Sequence, residues 1–236
     1  MTFLLIILLL VLLGSRLFVI VGAATAAAFY LFTPDHQTME SLTRIITKVE
    51  GLTGKNVFLS IPLFVGAGVI MTQGGIAKRL IELARALVGW LPGGLAIATV
   101  LACVVFAAIS GSSPVTLIAV GVIMFPALTE SKYPENFALG IITTAGSLGC
   151  LVPPSIAMLI YAISVSGRAS VDPADLFLAG LIPALLIAGL LSLYAMWVGR
   201  NIPREKFSWS RLGAALKAGS FALLLPVLIL GGIYSG

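Results

Sequence analysis

Charge is scarce in this sequence. Lys, Arg, Asp and Glu together supply 10% of its 236 residues, where a soluble domain carries roughly a quarter. Hydrophobic residues supply 59%, and the mean hydropathy is +1.13. An ordinary soluble domain is excluded. Apolar stretches recur from end to end, several near the ~20 residues that cross a bilayer as helix. The composition is that of an all-α polytopic membrane protein, with the lipid bilayer as its first partner.

Titratable chemistry is equally thin. The single histidine, His36, lies in the polar loop "TPDHQTMES"; there is no second histidine for a zinc site and no partner for a catalytic triad, so it reads as a solvated loop residue. Cys103 and Cys150 stand far apart within apolar segments and in no ligand spacing, so both read as small buried hydrophobes. An intramembrane hydrolase would need a nucleophile–base pair, and a channel a polar stripe along one helix. The sequence offers neither, so no residue is assigned a catalytic role.

The net charge of +5 comes from basic residues at the ends of apolar segments, as in "AKRLIELAR" (77–85) and "GRNIPREK" (199–206). That is the pattern of cytoplasmic loops beside anionic lipid. No basic stretch interleaves with aromatics as a nucleic-acid surface would. At the N-terminus, "FLLIILLLVLLG" followed by "AATAAA" resembles a signal peptide. No Lys or Arg precedes it, however, and the apolar run continues to Phe32, so it reads as a retained membrane segment.

Along the chain, residues 2–33 form either two short crossing helices or one long kinked helix. Residues 34–56 are the most polar; within them Met39, Leu42, Ile45, Ile46 and Val49 share one face of an amphipathic interfacial helix. An apolar segment follows over 57–73. Residues 74–94 are again amphipathic, with Ile76, Leu80, Leu83 and Leu87 on one side and Trp90 and Pro92 as an interfacial stop.

Two interruptions then break apolar segments. In "AISGSSPVT" (108–116) a knot of Ser, Gly and Pro separates Leu95–Ile109 from Val115–Leu128. At 1.5 Å per residue these arms reach only ~21–23 Å, against a hydrocarbon core of ~30 Å. Basic residues flank both ends (Lys78, Arg79 and Arg85 before, Lys132 after). The spacing predicts a re-entrant hairpin over about 93–128, with its tip near mid-membrane. In "TTAGSLGCLVPPSIAMLIYA" (143–162), Gly146, Gly149, Pro153 and Pro154 interrupt a crossing over about 137–165. This predicts two half-helices joined by unwound backbone. Asp172 should cap a helix opening at Pro173. Residues 176–198 cross back, the basic run 200–211 marks the cytoplasm, and a last apolar segment opens at Lys217.

Irregular backbone at membrane depth survives only when buried in protein or lining a polar cavity. Paired breaks of this kind are the design of secondary transporters, where carbonyls and helix C-termini hold Na⁺ and helix N-termini and hydroxyls attract an anion. The two breaks supply oxygen ligands only: Ser110, Ser112, Ser113, Thr116, Thr143, Thr144, Ser147, Ser155 and backbone carbonyls. Neither contains a carboxylate, so a proton relay built on Asp or Glu is not indicated.

"FLSIPLFVGAGVIMTQGGIAKRLIELARALVGWLPGGLA" (58–96), "ISGSSPV" (109–115), "GCLVPPSIAMLIYA" (149–162) and "LFLAGLIPALL" (176–186) resemble the large membrane subunit (DctM/SiaM-like) of TRAP, or tripartite ATP-independent periplasmic, transporters. The likeness runs in order over nearly the whole chain. It implies the first inverted repeat of an elevator-type transporter, with a re-entrant helical hairpin and a broken transmembrane helix. It implies an organisation of 1–56 as N-terminal scaffold helices and interfacial arm, 57–165 as half of the transport domain, and 166–236 as scaffold helix, basic linker and start of the second repeat.

By the same resemblance, the activity is Na⁺-coupled import of small organic anions (C4-dicarboxylates, sialic acids or other sugar acids) across the bacterial inner membrane. A periplasmic substrate-binding protein delivers the substrate and a small membrane subunit (DctQ/SiaQ-like) braces the scaffold. A related symporter working without a binding protein is the alternative. Ser110, Gly111, Ser112, Gly149, Val152 and Pro154 correspond to Na⁺ ligands, several through carbonyls, and Ser112, Ser113, Pro153 and Ser155 to substrate contacts. Two departures stand out: Ser113 and Pro114 occupy places where Ala is commoner, and Val69 stands where an acidic residue is usual. The chain corresponds to the first repeat and the start of the next helix. It is therefore expected not to transport alone, needing the second half of the permease as another chain or as the rest of a longer one.

Overall fold

The computed structural model describes residues 2–32, 74–165 and 171–235, together with Thr43, Thr47, Glu50, Leu63, Gly66 and Ile70. Apart from those six residues, the amphipathic helix expected over 39–52 and the apolar segment over 57–73 lie outside the described residues, as do Val69, His36 and residues 166–170. Among those described, the secondary structure is helical throughout, and the chain divides into two compact units, 1–58 and 59–236.

In the first unit, α1 (Thr2–Leu12) and α2 (Leu17–Phe32) are separate helices. Gly14 stops α1 at φ +66, with Ser15 N–H donating to the Leu10 carbonyl at 3.1 Å and Gly14 N–H to Val11 at 3.0 Å. This pairing of the last carbonyls around a left-handed glycine is a helix terminator. Of the two readings of 2–33, the structure takes the one with two helices; at 11 and 16 residues each falls short of the ~20 a straight crossing needs.

The second unit is built around α4 (Gly94–Ser110). Ala96, Ala98, Val100, Ala102, Cys103, Phe106 and Ile109 are all buried, so this helix is apolar all round because it is enclosed all round. Around it stand α3 (Ile76–Val88), α5 (Ser113–Glu130), α6 (Glu135–Ser147), α7 (Ile156–Val165), α8 (Pro173–Val198) and α9 (Trp209–Ser235). The amphipathic α3 packs Leu80, Ile81, Leu83 and Ala84 inward as its periodicity predicts. Leu87, expected on that face, is 40% exposed; it sits in the last turn, where α3 leaves the core at Gly89. Asp172 caps α8 as expected, its Oδ1 accepting from Ala174 N–H at 2.9 Å, with Pro173 in the first turn.

Helices α4 and α5 run back on each other. The Tyr133 phenol, just past α5, lies against the backbone of Ala96 at the start of α4 and of Gly199 at the end of α8. Both feet of the hairpin therefore rest at one end of the bundle. Its arms are longer than the hydrophobic runs predicted: 17 and 18 residues, about 26 and 27 Å. Ser110, Ser113 and Pro114 are helical rather than part of the tip, since Pro in a first helical turn gives up an N–H that would be unpaired anyway. By length and hydropathy α5 and Pro173–Asn201 are each long enough to cross a membrane. The last helix begins at Trp209 and carries the apolar segment that opens at Lys217, its polar first turns following the capping bond from Leu212 N–H to the Ser208 carbonyl at 3.0 Å.

At the hairpin's feet the basic linker is fastened to α3. Glu205 accepts from Arg85 through Nε at 3.0 Å and through Nη2, and pairs with Arg211 of α9 through its second oxygen. Glu205 N–H donates to the Gly89 carbonyl at 3.2 Å. Phe207 packs edge-on against Trp90 and Trp209, with centroids 6.3 and 5.0 Å apart. Burial alone would raise the Glu205 carboxyl, but the hydrogen bonds and charges of Arg85 and Arg211 outweigh it and hold the group below its ordinary value. A lowered native pKa means stability that is present above the unfolded value, ~4.3 for Glu, and is lost as pH falls through the native one. Thermal unfolding of the purified permease should accordingly show an acid-side loss of stability below about pH 4. Glu205→Gln should remove that loss and, because the pair is partly exposed, lower stability at neutral pH by only about 0.2–1 kcal/mol.

Candidate functional site

The tip between α4 and α5 consists of two residues, Gly111 and Ser112. Gly111 ends α4 at φ +59 with its N–H on the Ala107 carbonyl at 2.8 Å, and Ser112 is extended. The second break runs from the short 3₁₀ turn Leu148–Cys150 to Ser155, includes a cis peptide between Pro153 and Pro154, and ends where α7 opens at Ile156. The new helix thus starts beyond the prolines rather than on them.

The structure brings the two breaks into direct contact. Ile156 N–H, the first of α7, donates to the Gly111 carbonyl at 3.1 Å. Ser113 Oγ lies 3.1 Å from both the Ser147 carbonyl and Cys150 Sγ. The glycines permit the approach. A Cβ on Gly149 would lie 2.7 Å from Ser113 N and 2.8 Å from Ser112 C; one on Gly111 would lie 2.6 Å from the Pro154 carbonyl oxygen. Backbone rests on backbone at both points. Behind them, Gly180 of α8 leaves room for the Leu151 carbonyl and the Met158 side chain.

Two helix C-termini (α4, α6) and two N-termini (α5, α7) converge here. Carbonyl ends favour a cation and amide ends an anion, so the junction suits both without a charged side chain; none occurs in 106–129 or 143–162. Val152, Pro153 and Pro154 are buried, and among the described residues no hydrogen bond reaches their carbonyls. Buried carbonyls without donors are what a hard cation coordinates, so the residues fit Na⁺.

The expected site residues divide by what they already hold. Ser110 and Ser155 are each 1% exposed. The Ser155 hydroxyl donates to the Cys150 carbonyl at 2.7 Å and accepts weakly from Met158 N–H at 3.4 Å, bracing the link and opening α7. The Ser112 carbonyl already accepts from both Thr116 N–H at 3.0 Å and the Thr116 hydroxyl at 2.9 Å; a carbonyl has two lone pairs, so only the Ser112 hydroxyl remains to offer. Ser112 and Ser113 are half-buried and reachable, whereas Pro153 is buried. Beside the tip, Ser113, Pro114, Leu117, Ile118, Thr143 and Ser147 line an open cavity of about 380 Å³.

Cysteine and small-residue roles needed the structure. Cys103 is buried as expected, but Cys150 is exposed: helix α6 has ended, and its thiol projects from the 3₁₀ turn toward Ser113. Gly180 gave no sequence signal beyond being a small residue in a crossing helix. Thr116 was one hydroxyl among several; its spacing of four from Ser112 is the only clue to its contact.

A family profile described as "Tripartite ATP-independent periplasmic transporter, DctM component" matches residues 4–236. The sequence is 44% identical over 194 residues to the C4-dicarboxylate TRAP transporter large permease protein DctM of Vibrio cholerae, covering 80% of this chain and 42% of that protein. It is 39% identical over 183 residues to the isethionate TRAP transporter permease protein DctMQ of Oleidesulfovibrio alaskensis, covering 75% and 28%. It is 34% identical over 230 residues to the ectoine TRAP transporter large permease protein TeaC of Halomonas elongata, covering 96% and 52%. The chain spans about half the length, or less, of these curated relatives.

The junction yields a direct test. Gly149→Ala should force tip and link apart and lower stability by about 1–3 kcal/mol. Gly189→Ala on α8, where a Cβ meets nothing within 4 Å, should leave it unchanged. Thermal unfolding of the two purified variants checks the contrast.

Proposed function

The chain belongs to the DctM component family of the tripartite ATP-independent periplasmic transporters, a family of transport proteins rather than enzymes, and from that premise we propose that it is the first inverted repeat of a Na⁺-coupled permease importing a small organic anion across the bacterial inner membrane. The observation that carries this is the junction of the two breaks: donorless buried carbonyls at 152–154 beside convergent helix ends, in a region without side-chain charge.

Several features support the finer reading. The hairpin's two feet share one end with Arg85, Lys132 and the basic linker, the end that positive residues keep cytoplasmic. Helix α8 serves as a ruler: it touches the link at Gly180 and the feet at Gly199, about 28 Å apart at 1.5 Å per residue. Helix α7, ten residues long, leads on from the tip for about 15 Å. A hairpin that enters, meets a broken helix and returns fits these distances. The tip and link, joined backbone to backbone, suit a block that moves as one body in an elevator cycle.

In this reading Ser110, the Ser112 hydroxyl and the carbonyls of Gly111, Gly149, Val152 and Pro154 hold Na⁺. Ser112 and Ser113, at the N-terminal end of α5, face the anion, with Pro153 and Ser155 shaping the link behind. Na⁺ brings the charge that offsets an anionic substrate in a site lacking cationic side chains. The relatives are named for C4-dicarboxylate, isethionate and ectoine, all small solutes, and a small anion is the class we assign. The second half of the permease closes the site from the other side, a small membrane subunit braces it, and a periplasmic binding protein delivers substrate.

Uptake into proteoliposomes holding the complete permease, its small subunit and its binding protein tests this. Uptake should require an inward Na⁺ gradient, and Ser110→Ala should cut Na⁺-driven uptake roughly tenfold or more. Unaltered uptake and Na⁺ dependence in that variant would overturn the site. Na⁺-driven uptake by residues 1–236 alone would overturn the need for a second half.

A further inference from the structure

Polar groups of three residues at the hairpin tip close a ring. Ser110 Oγ and Thr116 Oγ1 lie 2.8 Å apart, and Thr116 Oγ1 lies 2.9 Å from the Ser112 carbonyl oxygen. Ser112 N–H points back to Ser110 Oγ at 3.4 Å. Each hydroxyl has one proton, which fixes the direction. If Ser110 donates to Thr116 and Thr116 donates to the Ser112 carbonyl, both short contacts are hydrogen bonds. The reverse order leaves Ser110 only the 3.4 Å contact to that carbonyl. The ring therefore runs from Ser112 N–H to Ser110, from Ser110 to Thr116, and from Thr116 to the Ser112 carbonyl.

The consequences fall on the tip. Thr116 is fully buried and Ser110 is 1% exposed, so water does not compete for these bonds and each polarises the next. The Ser110 proton is directed to Thr116, which leaves a Ser110 lone pair free to accept a further partner. The Ser112 carbonyl is filled by Thr116 alone. Thr116 thus decides which tip oxygens are free to take a further partner.

We propose that Thr116 is a positioning residue: through this ring it orients the Ser110 hydroxyl as a cation ligand and withholds the Ser112 carbonyl from that role. This rests on the Na⁺ reading above. Removing an outer partner that orients a ligand typically weakens metal affinity by roughly ten- to a hundredfold. Thr116→Val keeps the shape and deletes the donor; Thr116→Ser keeps the donor and deletes only a methyl group.

The experiment is Na⁺-dependent thermal stabilisation of the complete, purified permease, titrated with NaCl against KCl at constant ionic strength. The half-saturating Na⁺ concentration should rise about ten- to a hundredfold in T116V and stay within about threefold of wild type in T116S. Should T116V not fold, T116A is titrated in its place with the same expected rise. A wild-type response to Na⁺ that T116V or T116A shares at the same concentration overturns the positioning role and leaves the cation site standing. An equal rise in T116S overturns it too, because the hydroxyl would not be the cause. Stabilisation by K⁺ equal to that by Na⁺ in wild type overturns the cation reading and this inference with it.

Discussion

A helix interrupted inside an apolar bundle frees carbonyls and amides that have no water to bind, and each costs several kcal/mol if left against lipid. This chain contains two such interruptions, and most of its architecture disposes of their polar groups. The first amide of α7 goes to Gly111, the Ser112 carbonyl to Thr116, the Cys150 carbonyl to Ser155, and the Ser147 carbonyl to Ser113. Among the carbonyls left without a donor after that pairing are those of Val152, Pro153 and Pro154, three buried residues of the link.

The same constraint explains the glycines. Two backbones can satisfy one another only if nothing stands between them. Gly111 and Gly149 are where tip meets link, Gly180 where α8 meets the link, and Gly93 and Gly199 where the hairpin's feet meet the end of α8. Side chains at any of these would hold the elements apart. Apolar packing along α4 holds the bundle together, while the glycine contacts set how its pieces align. At the other end, polarity is handled by charge: the Arg85–Glu205–Arg211 cluster and the Trp90–Phe207–Trp209 aromatics fix the linker where water and headgroups can solvate it.

A site made from backbone has a functional corollary. If the proposed site binds an ion, its selectivity would lie in geometry rather than in titratable groups, since no charged side chain occurs in 106–129 or 143–162. Hydroxyls such as Thr116 and Ser155 then matter less as ligands than as the means by which carbonyls are left open or closed. That suits a family whose members are named for chemically different solutes while keeping one scaffold.

The sequence by itself determined the membrane class, the positions of both breaks, the cap at Asp172 and the family, because apolar run length, Pro and Gly placement and local capping are short-range properties. It also foresaw a buried Cys103 and an inward α3 face. It misjudged Cys150, the exposure of Leu87 and the arm lengths, since each depends on where a neighbouring element begins. It could not show that Gly111 meets Pro154, that Gly149 meets Ser112, or that Thr116 fills the Ser112 carbonyl. Tip and link are some forty residues apart, and only the packing of α4, α5, α6 and α8 brings them within hydrogen-bonding distance. Tertiary structure decided which of many similar serines and carbonyls have partners and which are left to bind something else.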